Sequence, residues 1–476
     1  FLFNRHIHQI IDGGSTGSRL HVYQTHTSNS KPSTIERIGT QKSSIPFSSV
    51  CNDQQPCTPQ RVSESLSPLL EYASTVIDPA HHSTTSVHYQ ATAGMRLLSL
   101  EQQTHMYDML YQGLLDFPFV LDRRDLGTLD GASEGYYGLI AANYLAGSIG
   151  LGLGLKRPGD GTNGTVGALD MGGSSTQISY PTSKSGRLSS PEDVVAVSFL
   201  GFGVETFRER VWNFWIASSH QNIHHSNHTA ASIFNHNNHT AAPISNPCAL
   251  RGHRTTYRSH TLVGTGNATE CQTQINRILV NNEDGGDALA LPSPPPAHGK
   301  RFLGMSVFFF ALDALRVLGQ NDALERHWPR PTLVELEDAL PSLCGLEWND
   351  GLHLQHRYTS GNGMPHRCFE AVYLVNLLRV SYGLDPRERS VTYLYDVEGQ
   401  EVEWTLGMAV LLHQGVPKLQ MHHDGEKMCE NADCGIEEGR DRVCYDNTSS
   451  SKDDDFLEDV TNDAHYTPPP HYIESM

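Results

Sequence analysis

The sequence predicts an α/β protein of two domains that close on one phosphate-bearing ligand. Two similar turns predict this, DGGSTGSR at residues 12–19 and DMGGSSTQ at residues 170–177, whose aspartates lie 158 residues apart. The length of 476 residues is the second observation, because a single hydrophobic core stops growing at about 250–300 residues. We therefore expect a duplicated strand–turn–strand unit, with one copy in each domain and the ligand between them.

Each turn has the composition of a phosphate-binding loop. An apolar run precedes it and predicts a strand, Gln9-Ile10-Ile11 before the first turn and Val166-Gly167-Ala168-Leu169 before the second. Glycines let the backbone approach a ligand, so that several N–H groups can converge on an anion. The aspartate can hold a hydrated divalent cation, and the hydroxyls can donate to phosphate oxygens. The first turn also matches the G-x-S-x-G elbow of serine esterases, but that elbow needs a following helix, and Leu20–Tyr23 predicts a strand.

The segments between the two turns predict further parts of one cleft. We expect residues 28–60 to form an exposed loop and residues 61–77 to form a helix. A strand that ends at Ala91 presents Thr92 and Arg96 to the cleft, with Arg96 as a phosphate contact or as an ion-pair partner opening a helix over 97–114. Ser133 fits an N-cap, which places Glu134 in the first turn of the next helix. A helix N-terminus favours the ionised carboxylate, so Glu134 can accept a proton from water, although first-turn glutamates also serve simply as helix-terminal charges.

The second half predicts a larger domain with surface insertions. After a glycine-rich linker at 146–165, an aromatic helix surrounds Phe207, Trp212 and Trp215. Residues 218–243 are rich in His and Asn, and we interpret them as a glycosylated surface insertion in preference to a metal site. We expect a buried helix over 303–319, a helix over 368–378 and a strand over 391–395. Beyond about residue 420 the chain is acidic and rich in Ser and Pro, which predicts disorder.

Composition and modification signals indicate the compartment. The net charge of −19 argues against a nucleic-acid partner, which needs a basic surface. Nine cysteines have spacings that suggest the local pairs 51–57, 248–271, 344–368 and 429–434, although spacing alone does not fix connectivity. With five Asn-x-Ser/Thr sites, at Asn163, Asn227, Asn238, Asn267 and Asn447, they predict a protein of the secretory pathway, either extracellular, at the cell surface or in an endomembrane lumen. A membrane anchor outside the given sequence stays open, and so does the oligomeric state.

At this point the sequence resembles one family, the apyrases or nucleoside triphosphate diphosphohydrolases. Five family motifs occur in family order: DGGSTGSR (12–19), ATAGMR (91–96), SEGYYGLIAANYL (133–145), LDMGGSSTQ (169–177), and a split fifth region with MSVFFF (305–310) and EWTLG (403–407). The resemblance implies an α/β actin-like fold of two ribonuclease-H-like domains with the active-site cleft between them. We expect one domain at 1–146, completed by about 405–420, and the other at 147–404, with 421–476 as a tail. The implied reaction removes terminal phosphates from nucleoside tri- or diphosphates with Ca²⁺ or Mg²⁺.

The resemblance also implies residue roles. Glu134 is similar to the general base, and Thr92, Ser175 and Gln177 to the groups that position the attacking water. Asp12 and Asp170 resemble the residues that hold the cation through water. The phosphate-loop residues implied are Gly14, Ser15, Thr16, Gly17, Ser18, Arg19, Gly172, Gly173 and Ser174. Tyr373 is the candidate for stacking on the base.

Three rival interpretations remain at this stage. An exopolyphosphatase or a sugar kinase of the same superfamily would share both turns. A non-catalytic, actin-like nucleotide-binding protein would share the fold but retain its nucleotide without turnover. Preferred nucleotide and preferred metal are not predicted.

Overall fold

Two five-stranded sheets carry the two predicted turns in the computed structural model of the chain, which is a mixed α/β protein. It describes residues 6–26, 33–52, 54–153, 164–182, 186–226, 242–280, 294, 299–348, 354–397 and 399–415.

The strands and helices follow one another in the order expected for an α/β chain. The strands are β1 (Ile7–Gly14), β2 (Gly17–His26), β3 (Thr34–Ser43), β4 (Ser86–Ala91), β5 (Leu126–Thr128), β6 (Gly167–Met171), β7 (Ser175–Pro181), β8 (Val194–Leu200), β9 (Ile244–Asn246), β10 (Arg254–Tyr257), β11 (His260–Gly264), β12 (Phe302–Gly304), β13 (Val391–Tyr393), β14 (Asp396–Val397) and β15 (Gln400–Glu401). The helices are α1 (Pro59–Glu64), α2 (Ser67–Val76), α3 (Pro79–His82), α4 (Ala93–Arg96), α5 (Leu100–Leu114), α6 (Gly131–Leu145), α7 (Val204–Ser226), α8 (Ala268–Val280), α9 (Val307–Gly319), α10 (Asp322–His327), α11 (Leu333–Cys344), α12 (Arg367–Asn376) and α13 (Trp404–His413).

The two large sheets have the same topology, which confirms the duplicated unit. The first has the order β3-β2-β1-β4-β5 and the second the order β8-β7-β6-β12-β13. In each, the first three strands pair antiparallel and the last two add in parallel. The predicted turns are the β1–β2 and β6–β7 hairpins. Since these hairpins occupy the same position in both sheets, each sheet contributes one aspartate and one glycine-rich turn in an equivalent way.

The expectation of a loop over 28–60 is wrong for part of that stretch, because β3 lies within it. This strand pairs with β2 along one side and is the edge of its sheet. Half of its ten residues are therefore exposed and polar, with Ile35 buried. An edge strand of this kind lacks the apolar alternation by which strands are recognised in sequence.

Two predicted helices begin or break differently from the expectation. The stretch 61–77 forms α1 and α2, separated at Ser65 and Leu66, and Pro68 lies in the first turn of α2, where its missing N–H costs nothing. The helix expected over 97–114 starts at Leu100 after the short α4. Ser99 caps it through a reciprocal capping box with Gln102, which fixes that start.

Helices α6 and α13 pack against each other, and their side chains form a core with residues of both large sheets, including Ile10 of β1 and Ala168 of β6. Gly407 of α13 makes the close approach possible, because a Cβ at this position would overlap with the carbonyl oxygen of Tyr137 in α6. The EWTLG motif is therefore partly a packing motif. It holds α13 against the middle of α6, where Trp404 also stacks on Tyr137.

Three of the suggested cysteine pairs are disulfides: Cys51–Cys57, Cys248–Cys271 and Cys344–Cys368. The suggested pair at 429 and 434, Cys444 and the tail at 421–476 lie outside the described residues, as do 227–241 of the predicted insertion. Of the glycosylation sites, Asn267 is described and is exposed. Among the described helices, none combines the length and the apolar character needed to cross a bilayer. The domain boundaries at 146 and 404 stay predictions.

Candidate functional site

A cleft of about 450 Å³ contains both predicted turns. Most of the residues singled out from the sequence line it. These are Asp12, Gly14, Ser15, Thr16, Gly17, Ser18, Arg19, Thr92, Glu134, Asp170, Gly172, Gly173, Ser174 and Ser175. Gln177 and Tyr373 do not line the cleft.

The two turns approach each other closely. A Cβ placed on Gly173 would lie 2.8 Å from the Ser15 hydroxyl of the first turn and 2.8 Å from a carboxylate oxygen of Glu205. A larger residue at this position would force the side chains of Ser15 and Glu205 to move. The backbone of the second turn is thereby accessible where the first turn presents its hydroxyls.

Glu134 lies in the first turn of α6, as predicted, but the helix begins earlier than expected. Asp130 is the N-cap, and its carboxylate accepts from the Ser133 backbone N–H at 2.8 Å and from the Ser133 hydroxyl at 2.6 Å. The prediction that Ser133 caps the helix is therefore wrong. Both residue types are good caps, but the N-cap lies three residues before Ser133, whose N–H and hydroxyl are both bound by Asp130.

The Glu134 side chain is held through one of its two carboxylate oxygens. Arg96 forms an ion pair with Oε2, and the Gln177 amide donates to the same oxygen at 3.1 Å. Within the described part of the chain, both of these contacts fall on Oε2 and none on Oε1. Burial raises the pKa of Glu134, and the Arg96 guanidinium opposes that increase. Of the two roles left open for Arg96, the geometry gives the ion pair.

Gln177 lies behind the cleft surface and connects Glu134 to the hydroxyl groups around it. Its amide nitrogen is 2.9 Å from the Ser175 Oγ and 3.0 Å from the Ser198 Oγ. Ser175 lines the cleft, and Gln177 is 2% exposed. The geometry thus makes Gln177 a positioning residue for Glu134 and Ser175.

Asp12 and Asp170 occupy equivalent places at the ends of β1 and β6. The Oδ1 atom of Asp12 is buried and has no hydrogen-bond partner among the described residues. Burial raises the pKa of Asp12 well above its usual range, and the charges of Glu134 and Glu403 add to the increase. Burial also raises the pKa of Asp170, against a hydrogen bond from Ser306. Two partly buried carboxylates that face one cleft, with raised pKa values and one buried oxygen without a partner, fit a site for a hydrated cation, whose charge would stabilise their ionised forms.

The predicted role of Arg19 is to bind phosphate, but in the structure its guanidinium contacts carboxylates. It forms ion pairs with Glu403 and, at 3.4 Å, with Glu401. Glu403 is also 2.5 Å from the buried His21. Burial raises the pKa of Glu403, but His21 and Arg19 outweigh burial and leave the pKa lowered. Arg19 therefore ties β2 to the segment before α13 at the edge of the cleft.

Tyr373 is the predicted site residue that the structure separates from the cleft. Its side chain is fully buried, its hydroxyl donates to the Phe202 carbonyl at 2.6 Å, and its ring stacks on Phe207 at 4.2 Å. A ring enclosed on both sides offers no face to a nucleobase. Tyr373 is therefore not the residue on which the base stacks.

Several residues that line the cleft had no role in the sequence interpretation. They are Lys42, Glu205, Ser306, Phe310, Arg367, Glu370, Tyr395, Glu401 and Glu403. Glu403, Ser306 and Phe310 lie inside the motifs EWTLG and MSVFFF, so these motifs could have identified them. The others come from distant segments that carry no local pattern.

Comparisons with known proteins place this fold and cleft among the nucleoside phosphatases. The chain belongs to the GDA1/CD39 (nucleoside phosphatase) family, whose model matches residues 3–424. The Golgi apyrase of Saccharomyces cerevisiae is 26% identical over 466 residues, covering 85% of this chain and 70% of the relative. Ectonucleoside triphosphate diphosphohydrolase 2 of Mus musculus is 28% identical over 442 residues, covering 86% and 82%. The chain is thus an enzyme of nucleoside phosphate hydrolysis, as the resemblance implied.

A solved structure gives the same result for the fold. The nucleoside triphosphate hydrolase of Neospora caninum matches with a TM-score of 0.58 and 16% identity, covering 87% of this chain and 92% of that one. At this identity the match supports the fold alone. The family match disfavours the polyphosphatase, sugar-kinase and non-catalytic interpretations.

Proposed function

We propose that the chain removes the terminal phosphate of nucleoside di- and triphosphates with a water molecule that Glu134 deprotonates. One observation carries this proposal: Glu134 lines the cleft, while Arg96 and Gln177 both bind its Oε2 atom. Its Oε1 atom is left to accept a proton. Because the other oxygen is fixed, Oε1 takes up a proton from a water molecule in a defined position. General-base catalysis of this kind increases the reaction rate by about 10²–10⁴-fold.

The hydroxyl groups beside Glu134 complete the position of the water. Ser175 is connected to Glu134 through Gln177, and Thr92 is fixed by a hydrogen bond from its backbone N–H to the Gly13 carbonyl at 3.0 Å. Thr92 and Ser175 line the same cleft as the two turns, where the phosphates are proposed to bind. In-line attack on phosphorus requires such positioning more than covalent work by the protein.

The two turns are proposed to hold the phosphates through backbone N–H groups and hydroxyls. The short distance between Gly173 and the Ser15 hydroxyl supports this, because it brings the backbone of the second turn and a hydroxyl of the first to one place. Ser18 is almost fully buried and Arg19 is held by carboxylates, so their role is to support the first turn more than to donate directly.

Asp12 and Asp170 would hold a divalent cation through water. The unsatisfied Oδ1 of Asp12 and the raised pKa values of both carboxylates support this assignment. Among the described residues, no group of three or more His, Cys, Asp or Glu side chains is arranged to bind a metal directly, which favours a water-mediated site. A bound cation would neutralise phosphate charge. Oxygen donors suit Ca²⁺ and Mg²⁺ alike, and we propose either as the cofactor.

The nucleobase is proposed to stack on Phe310 or Tyr395. Both rings line the cleft and are partly exposed, and their centroids are 5.9 Å apart. Trp404 also lines the cleft, but it is 5% exposed and stacks on Tyr137. An accessible ring face is the requirement that Tyr373 does not meet.

We also propose that the protein acts in the secretory pathway. Three disulfides and the exposed sequon at Asn267 support an oxidising, glycosylating compartment. The yeast relative is a Golgi apyrase by name, which agrees with this address.

Phosphate release tests the proposal. Wild type and Glu134→Gln should be compared on ATP, ADP, GDP and UDP with Ca²⁺, Mg²⁺ or EDTA. We expect release by wild type that depends on the cation and is lost in the variant. Release that persists in EDTA would refute the role of Asp12 and Asp170.

A further inference from the structure

Ser306 lines the cleft in a backbone conformation that serine rarely adopts. Its φ is 52° and its ψ is −126°, in the left-handed region that favours glycine. Residues held in such regions are strained, and they persist where the surrounding structure requires them, often at functional sites. Among the described residues, five other than glycine have a positive φ, and Ser306 is the one of these five that lines the cleft.

Ser306 is also an N-cap residue whose side chain does not cap its helix. It precedes α9, and serine is favoured at such a position because its hydroxyl accepts from an N–H group of the first turn. At the start of α9, as the structure describes it, no hydrogen bond of this kind is made. The stability of α9 therefore does not explain why a strained serine stands here.

The strand pairing places Ser306 beside Asp170. Strands β6 and β12 are parallel neighbours in which Gly304 pairs with Leu169, and the Met305 N–H donates to the Leu169 carbonyl at 3.0 Å. Asp170 is the next residue along β6, and Ser306 directly follows Met305, so both leave the sheet at the same edge. Both line the cleft, and the Ser306 hydroxyl donates to the Asp170 carboxylate.

Asp170 is thereby held more firmly than its equivalent in the first sheet. The Met171 N–H donates to its Oδ1 atom at 2.9 Å, and Ser306 supplies a second donor from a different strand. The Oδ1 atom of Asp12, by contrast, is buried without a hydrogen-bond partner among the described residues. Of the two carboxylates assigned to the cation, Asp170 is therefore the one whose orientation is fixed before a cation binds.

We propose that Ser306 is a positioning residue for the cation site, because its hydroxyl fixes the orientation of the carboxylate that would bind the cation's water molecules. The strained backbone directs this hydroxyl to Asp170 instead of to the N–H groups of α9. Loss of a group that orients a metal ligand typically lowers metal affinity by about 10- to 100-fold. This inference rests on the proposed function, because it concerns the same Asp170.

The test compares wild type with Ser306→Ala, Ser306→Gly and the control Gln320→Gly. Alanine removes the hydroxyl and keeps the strained backbone, whereas glycine removes the hydroxyl and relieves the strain. Gln320 has a positive φ of 47° at the other end of α9, where it is exposed and does not line the cleft. Its replacement by glycine therefore relieves backbone strain away from Asp170.

Two quantities report on the cation. The first is the concentration of Ca²⁺ or Mg²⁺ that gives half-maximal phosphate release from a nucleoside diphosphate, and the second is the increase in Tm that the same cation causes in nucleotide-free protein. We expect both Ser306 variants to need about 10-fold more cation in each measurement, and Gln320→Gly to match wild type. An effect shared by both Ser306 variants follows the loss of the hydroxyl, because the two substitutions differ in backbone strain.

The outcomes separate this inference from the proposed function. An unchanged cation dependence in Ser306→Ala, or an equal loss in Gln320→Gly, would overturn the role of Ser306 and leave cation-dependent hydrolysis intact. If Ser306→Ala does not fold, Ser306→Gly carries the test, and an unchanged cation dependence there would overturn the role as well. Phosphate release by wild type that persists in EDTA would instead refute the cation site itself, and this inference with it.

Discussion

Replacement of Arg96 by Gln should change the pH dependence of the enzyme, because Arg96 is the cation paired with Glu134. Without it Glu134 is a buried carboxylate with no countercharge, so its pKa, already raised by burial, rises further. Loss of one partner of a buried pair costs about 3–5 kcal/mol, and the side chains here are only 13% and 10% exposed, so solvent screens the pair little. With 1.36 kcal/mol per factor of ten, even the lower figure suppresses the ionised base about 100-fold.

The assay is kcat/KM for one nucleoside diphosphate across pH, compared with wild type and Glu134→Gln. We expect Arg96→Gln to lose about 100-fold at the acidic end and to recover as pH rises, because hydroxide restores the carboxylate. Glu134→Gln should show no such recovery, since it has no carboxylate to ionise. A uniform loss in Arg96→Gln at every pH would refute the reasoning and make Arg96 a substrate ligand or a structural residue.

Two further predictions concern stability. Asp12→Asn should stabilise the metal-free protein by about 1–3 kcal/mol, because it removes a buried, unsatisfied charge, and it should abolish the increase in Tm caused by divalent cations. The pH dependence of stability follows from the same pKa. Because the pKa of Asp12 is raised in the folded state, the folded state binds protons more strongly than the unfolded state. The metal-free wild type therefore loses stability as pH rises from the unfolded pKa through the folded pKa. A metal-free Tm that rises over this range by the same amount in wild type and Asp12→Asn would contradict this. Gly407→Ala should lower the free energy of unfolding in urea by about 1–3 kcal/mol, because the new Cβ overlaps with Tyr137. The control Gly127→Ala should be near neutral, because no atom lies within 4 Å of its new Cβ. Equal effects of the two substitutions would show that α6 and α13 can separate without cost.

The sequence predicts the parts of the site that depend on local chemistry. Both turns were found because an aspartate, glycines and hydroxyls follow an apolar strand, and those residue types are required wherever a backbone meets phosphate. Glu134 was found for a similar local reason, the first turn of a helix. The cap was misassigned because Ser133 and Asp130 are both good caps, and only the observed start of α6 decides between them.

What the sequence does not predict depends on contacts between distant segments. Glu403 pairs with Arg19 across a sequence separation of 384 residues, and no local pattern predicts that pairing. Arg367 of α12 is likewise connected to α9 by hydrogen bonds that run through an irregular segment. Tyr373 failed as the stacking residue because an aromatic helix looks the same in sequence whether its rings face a core or a cleft.

The most direct test of the account is single-turnover phosphate release by Glu134→Gln with saturating nucleotide and cation. We predict that nucleotide binds with near wild-type affinity while the chemical step falls by about 10²–10⁴-fold, since the variant keeps the shape of the side chain and loses the base. A chemical step at the wild-type rate would contradict the assignment of Glu134 as the base.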